Sequence, residues 1–231
     1  MIGVMVVDDS ALMRKIISDM INDEANMRVV GTAKDGEEFL EKLESLKPDV
    51  ITLDVEMPKL NGISALKKMK KMQIDIPVIV LSSTSGSDAM ITMECLESGA
   101  FDFIPKPSGQ ISLDIRKVKY EIVEKINLAF EQKISGHKTK EAAKETIISL
   151  KSGNIPNSAR VDALVIGAST GGPRAIFEII TKLPEDLGIP VFIVQHMPEG
   201  FTKAFSERLN LNCCLKVQEA SHMQPIETNN V

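Results

Sequence analysis

The chain alternates short, densely apolar runs with longer stretches in which apolar residues return every third or fourth position. The runs "IGVMVV", "MRVVGTA", "DVITL", "IPVIVLSS" and "FDFIP" predict buried strands. Between them, "SALMRKIISDMIND", "DGEEFLEKLESL", "NGISALKKMKKM" and "SDAMITMECLES" carry the helical period. A fifth helix is predicted from about Leu113 to Gln132, with Ile115, Val118, Ile122 and Ile126 on one stripe. Strands that are apolar throughout need cover on both faces. Five strand and helix units in alternation therefore predict an α/β domain over residues 1–132, doubly wound around a five-stranded parallel sheet.

Residues 133–159, rich in Lys, Ser, Asn and Gly, hold no sustained apolar period and predict a linker with one helical turn set inside it. A second unit follows over residues 160–231: strand "VDALVIGA", helix "PRAIFEIITKL", strand "IPVFIVQH", helix "GFTKAFSERLN" and strand "CCLKVQEA". It predicts a smaller parallel α/β domain with an exposed sheet edge.

Composition narrows the functions available. A net charge of −5 without a Lys and Arg cluster argues against a general nucleic-acid binder. Twelve Met and no Trp predict aliphatic, deformable cores. Cys95, Cys213 and Cys214 lack metal-type spacing and the N-terminus lacks a signal-peptide pattern, which fits a reducing cytoplasm. The apolar runs are far too short to span a bilayer, so any membrane association is expected to be peripheral, through partners.

In open parallel sheets, functional groups gather at the carboxyl ends of the strands. Asp8 and Asp9 end the first predicted strand, Asp54 the third and Ser82 the fourth, and Lys106 follows the fifth. Any one of these carboxylates reads equally well as a helix cap. Together they form a crowded acidic rim whose mutual repulsion a divalent cation with oxygen ligands would relieve, Mg2+ being the natural ion. Asp8, Asp9, Asp54 and the Glu56 backbone carbonyl are the candidate metal set. Asp54, centrally placed, is the candidate phosphoryl acceptor, with Ser82 and Lys106 as phosphoryl-oxygen partners. "IPKP" restricts the backbone around Lys106, and the peptide before Pro107 is a cis candidate.

In "VIGASTGGPRAIF", Gly167, Ser169 and Gly171 fit G-x-S-x-G between a strand and a helix, the spacing of a nucleophile elbow. The alternatives are a plain tight turn or a phosphate-cradling loop, although a dinucleotide fingerprint wants glycine where Ser169 stands. His196 ends the next strand, so a right-handed crossover brings it to the same edge as Ser169, where it can serve as general base and then general acid. No carboxylate of the second unit offers a convincing third member, since Asp162, Glu185 and Asp186 fall at the wrong edge and Glu199 sits in a loop. His137 and His222 read as packed or capping histidines.

"VVDDS", "DVITLDVEMPKLNGI", "VLSS" and "DFIPKP" resemble the receiver domain of two-component response regulators. The resemblance implies a flavodoxin-like fold, phosphotransfer from a histidine kinase to Asp54, and a switch role for Ser82 and Phe103. "VIGASTGGP", "VFIVQHMPEGFTKAFSERLN" and "VQEA" resemble the catalytic domain of the chemotaxis protein-glutamate methylesterase family. That resemblance implies hydrolysis of glutamyl methyl esters on methyl-accepting chemoreceptors, with glutamine deamidation, and needs no cofactor for the ester chemistry. Ser169 matches the nucleophile, His196 the catalytic histidine and Thr170 a neighbouring active-site position. The family's catalytic aspartate lies in a later segment. His222 and Met223 stand where an Asp-Gly pair is usual, so the third member is carried over to no residue here, and residues 160–231 are expected to be the N-terminal portion of that domain. Two other readings stay open: a phosphorylatable binding module or phosphate sink with an inert output domain, and a DNA-binding response regulator, disfavoured because the second unit has no basic recognition helix.

Overall fold

The computed structural model describes residues 1–83, 86–106, 111–142 and 161–231. Five strands, β1 (Ile2–Val7), β2 (Met27–Ala33), β3 (Val50–Asp54), β4 (Val78–Ser82) and β5 (Asp102–Pro105), form a parallel sheet in the order β2-β1-β3-β4-β5. The connecting helices are α1 (Ala11–Asn22), α2 (Gly36–Leu46), α3 (Gly62–Lys71), α4 (Gly86–Glu97) and α5 (Ile111–Ala142). Side-chain caps fix three helix starts: Ser10 accepts from Met13 N, Asp35 from the amides of Glu37 and Glu38, and Asn61 from Ser64 N. These caps commit the chain to turn just past the carboxyl ends of β1, β2 and β3, which is where the candidate residues sit.

The sheet separates two apolar layers. On one face Val4, Val6 and Ile104 pack with Ile17 and Ile21 of α1 and Ile122 and Ile126 of α5. On the other, Met5, Leu53 and Val80 pack with Phe39, Leu66 and Met93 of α2, α3 and α4. Both faces are covered, as strands apolar throughout require.

The second unit contains β6 (Leu164–Ala168), α6 (Gly172–Ile180), β7 (Val191–Gln195) and α7 (Phe201–Asn210), with β6 and β7 paired in parallel. Ile176 and Ile180 of α6 and Phe201, Phe205 and Leu209 of α7 join the apolar layer beneath α4. Arg208 of α7 forms a two-nitrogen ion pair with Glu97 of α4. The opposite face of β6 and β7 is open, with Val165 67% and Val194 68% exposed.

Two expectations need correction. The fifth helix does not stop near Gln132 but continues to Ala142, so the first ten residues of the expected linker are helical. The apolar stripe ends before the helix does, and within the extension Lys133 donates to Asp49 O at 3.3 Å and pairs with Asp49 Oδ1 at 3.8 Å. "CCLKVQEA" forms no strand. Leu215 and Val217 are buried and alternate with exposed neighbours, so the period is real. Among the described residues its ladder pairing is limited to the bridge of Lys216 with Asn230, and residues 229–231 stand between it and β7, where Val191 N donates to Asn230 O. The rest of the expected linker, Pro107 and the His137 side chain lie outside the described residues.

Candidate functional site

The chemistry-bearing residues collect on two rims. At the carboxyl end of the first sheet, Asp8 follows β1 and Asp54 ends β3, brought side by side by the pairing of Val7 with Leu53. Both are buried, while Asp9 is exposed. One oxygen from each of Asp8, Asp9 and Asp54 lies within 4.8 Å of the others. Lys106 Nζ stands 2.6 Å from Asp54 Oδ2 and 3.0 Å from Asp8 Oδ2. Even so, Asp8 Oδ2 receives no aligned hydrogen bond from the described residues. A buried carboxylate oxygen left in that state, beside two further carboxylates, fits a hard divalent cation with oxygen ligands. Glu56 adjoins the cluster, donating its N–H to Asp54 Oδ1 at 3.3 Å with its side chain exposed.

The electrostatics follow from burial. Desolvation pushes the Asp54 carboxyl up to about 6, against the pull of the Lys106 ammonium and with some help from the Asp8 charge. Burial also works against the Lys106 ammonium, but the bond to Asp54 and the charges of Asp54 and Asp8 outweigh it and hold Lys106 above its usual range. Burial and Lys106 thus pull the Asp54 carboxyl in opposite directions, and burial prevails.

Ser82 and Phe103 point elsewhere. Ser82 Oγ lies 2.5 Å from Thr92 Oγ1 and donates to Ser83 O, so α4 holds the hydroxyl, and it makes no bond to Asp54 among the described residues. Phe103 is buried and stacks on Phe201 of the second unit at 4.6 Å between ring centroids.

On the second rim, Ala168 pairs with Gln195, so Ser169 and His196 are the next residues of adjacent parallel strands, and His196 N donates to Ala168 O at 3.0 Å. Gly171, with φ 71, makes the left-handed step into α6. A Cβ at Gly172 would lie 2.2 Å from Gln195 Oε1 and 2.8 Å from Ala168 Cβ, so a side chain there would displace the Gln195 amide and press on the end of β6. Ser169 and His196 are exposed and Thr170 is half-buried. Neither Ser169 Oγ nor the His196 ring has a hydrogen-bond partner among the described residues, and no carboxylate there orients the imidazole. His222, expected to be packed or capping, is exposed.

The sequence did not mark Gln195. Its Nε2 donates to Ser169 O at 3.0 Å and to His196 O at 2.9 Å, lacing the two loops together. The only signal was an amide at the end of an otherwise apolar strand. Thr92 was missed in the same way, as a polar residue on the inward stripe of α4.

Residues 4–116 match the family model described as response regulator receiver domain, and residues 164–231 match CheB methylesterase. The chain is 50% identical over 220 residues to the protein-glutamate methylesterase/protein-glutamine glutaminase of Clostridium acetobutylicum, covering 95% of this chain and 62% of that one. It is 48% identical over 229 residues to the protein of the same description from Bacillus subtilis, covering 95% and 63%. The chain therefore spans somewhat under two thirds of the length of these curated relatives. Among solved structures, the response regulator domain of Thermotoga maritima CheB is 53% identical, with a TM-score of 0.51, covering 56% of this chain and 96% of that one. No helix among the described residues is long and apolar enough to cross a membrane. The chain belongs to the response regulator receiver family over residues 4–116 and continues, over residues 164–231, into a region of the CheB methylesterase family.

Proposed function

We propose that the protein is a phosphorylation-regulated hydrolase of bacterial chemotaxis, working in the cytoplasm, that removes methyl esters from glutamate side chains of chemoreceptors and deamidates glutamine. The observation that carries it is the pairing of Ala168 with Gln195, which starts Ser169 and His196 from one rim of one sheet. Relatives named for both activities, 48–50% identical over 95% of the chain, support the substrate class.

In this reading a histidine kinase is the phosphodonor and Asp54 the acceptor. Asp9, Asp54 and the Glu56 carbonyl would hold Mg2+ beside Asp8, and the ion would shield the oxygens of the incoming phosphoryl group. Asp54 attacks as the carboxylate, forming an O–P bond as the donor's bond to phosphorus breaks. Lys106, already on Asp54, takes up charge on a phosphoryl oxygen. Ser82, released from Thr92, donates to another, and Phe103 moves with it.

On the second rim, Ser169 Oγ attacks the ester carbonyl while His196 takes its proton. The imidazolium then protonates the leaving methoxide, releasing methanol and an acyl-serine. Water, deprotonated by His196, cleaves that acyl bond and restores the serine. For a glutamine side chain the same steps release ammonia.

A phosphate-sink reading has one observation in its favour, the His196 ring without a carboxylate partner among the described residues. A serine and histidine pair lacking that group loses about 10⁴ in kcat. Incubation with Mg2+ and a small acyl phosphate should give an acid-labile adduct that Asp54→Asn abolishes. Methanol release from methylated receptor should vanish in Ser169→Ala. An adduct without Ser169-dependent methanol release leaves the sink as the function.

A further inference from the structure

Helix α7 is followed by a short loop that carries two adjacent thiols, Cys213 and Cys214. The loop is tied down on both sides. Asn212 N–H donates to Leu209 O at 2.9 Å, which closes the turn out of the helix, and Val217 N–H donates to Asn210 Oδ1 at 2.9 Å. Leu215 and Val217, both buried, hold the far side. Between these anchors residues 213–215 form a bend, and among the described residues neither the Cys213 nor the Cys214 amide donates to a backbone carbonyl. The backbone between the two sulfurs can therefore rotate about φ and ψ without breaking a helix or a ladder.

The two thiols are unequal. Cys214 is exposed, whereas Cys213 is half-buried, packs against the same apolar layer as α7, and donates its S–H to Leu215 O at 3.2 Å. Burial, and to a lesser degree a charge on Cys214, push the Cys213 thiol above its usual range. Cys213 therefore keeps its proton, and Cys214 is the sulfur that an oxidant in solvent meets. An accessible thiol with a second thiol beside it is the arrangement of a redox pair, in which one sulfur is oxidised and the other resolves it. The remaining cysteine, Cys95, is buried with its thiol pushed up to about 12, and so serves as an internal control. Neither the phosphorylation nor the ester chemistry uses any of the three.

We propose that Cys213 and Cys214 form a modification site, a dithiol that hydrogen peroxide oxidises to a disulfide between adjacent residues. Cys214, as thiolate, attacks one oxygen of the peroxide; the O–O bond breaks, leaving Cys214 as a sulfenic acid and hydroxide, which takes up the proton the thiol lost. Cys213 then attacks the oxidised sulfur, an S–S bond forms as the S–O bond breaks, and the Cys213 proton leaves with the hydroxide as water. Two thiols lose two electrons in all, and one hydrogen peroxide becomes two waters. Closure requires the Cys213 sulfur to give up Leu215 O and come out of the apolar layer, a movement the unladdered bend permits. Adjacent Cα atoms stand about 3.8 Å apart, short of the ~4.4–6.8 Å span of ordinary disulfides, so the ring is strained and a cellular thiol reopens it. The site is thus reversible, in keeping with a cytoplasmic disulfide that is transient.

The test treats the 231-residue chain with hydrogen peroxide, blocks it with iodoacetamide and cuts it with trypsin, which leaves both cysteines in one peptide between Arg208 and Lys216, residues 209–216. That peptide should become about 2 Da lighter, take up about tenfold less iodoacetamide than in the untreated chain, and regain both thiols with glutathione. Cys95 should stay reduced throughout. In Cys213→Ser the resolving sulfur is gone, so a sulfenic acid trapped by dimedone should accumulate at Cys214; in Cys214→Ser, Cys213 should remain a thiol. Should either variant not fold, the wild-type peptide decides alone. Three results each overturn the proposal: Cys214 driven to sulfinic acid while Cys213 still takes up iodoacetamide, a disulfide that joins two chains, or a peptide alkylated at both residues as fully after peroxide as before.

Discussion

Replacing Asp54 with Asn removes a charge that burial makes expensive. Two effects compete at Asp54: Lys106 at 2.6 Å favours the carboxylate, and desolvation of a side chain with 3% residue exposure disfavours it. Desolvation wins, and the carboxyl rises from 3.8 to about 6. The folded chain therefore keeps a proton that the unfolded chain sheds, so this group's contribution to stability is complete below pH 3.8 and is lost as pH rises towards about 6. The loss amounts to ~3 kcal/mol and is flat at higher pH. Urea unfolding of wild type and Asp54→Asn, without divalent ion and in steps from pH 4 to pH 8, isolates it. Taking the difference between the two chains cancels Asp35 and Glu38, whose carboxyls are held below their usual range, by the Glu38 backbone amide and by the Lys42 ammonium respectively. Wild type should lose ~3 kcal/mol relative to the variant across the window, and Mg2+ should recover part of it at pH 7. A flat difference, or one that grows in favour of wild type as pH rises, would show that Lys106 wins and refute the reasoning.

Lys106→Met takes away the group that pulls Asp54 down, so the Asp54 carboxyl should titrate higher still by NMR, and phosphorylation by an acyl phosphate at pH 7 should slow at least tenfold. Phe201→Ala empties a pocket that is 2% exposed and stacked on Phe103; it should cost ~3–5 kcal/mol in unfolding of the second unit and speed proteolysis between the units. The Arg208 and Glu97 pair joins the same surfaces but is roughly a quarter exposed on both sides, so a double-mutant cycle should return ~1 kcal/mol or less. Gln195→Met keeps the volume and removes both donors to Ser169 O and His196 O; labelling of Ser169 by a fluorophosphonate should slow about tenfold, and an unchanged rate would show that those two bonds do not set the pair's geometry.

What the sequence could convey was set by range. The apolar runs and the 3.6-residue period act locally, and they placed each element of the first domain; the strand ends then placed Asp8, Asp54 and Lys106 on one rim, because parallel strands share a direction. Ser169 and His196 were legible for the same reason. Helix α5 outran its stripe because periodicity marks the buried part of a helix and not its end. "CCLKVQEA" misled because alternation reports a buried face, while a ladder needs a partner of matching length. Asp102 and Gln195 were invisible because their roles lie in partners distant in sequence: Asp102 meets Gly171 across 69 positions, and no local pattern encodes that. The pairing of Phe103 with Phe201 escaped notice for the same reason.

The claim at the centre of the account is that the phosphorylation state of Asp54 governs an ester hydrolysis carried by Ser169. Methanol release from methylated receptor, measured with and without acetyl phosphate and Mg2+, tests it most directly. The account predicts release that rises with the phosphodonor, disappears in Ser169→Ala and ignores the phosphodonor in Asp54→Asn. Release that persists in Ser169→Ala, or that the phosphodonor leaves unchanged in wild type, contradicts it.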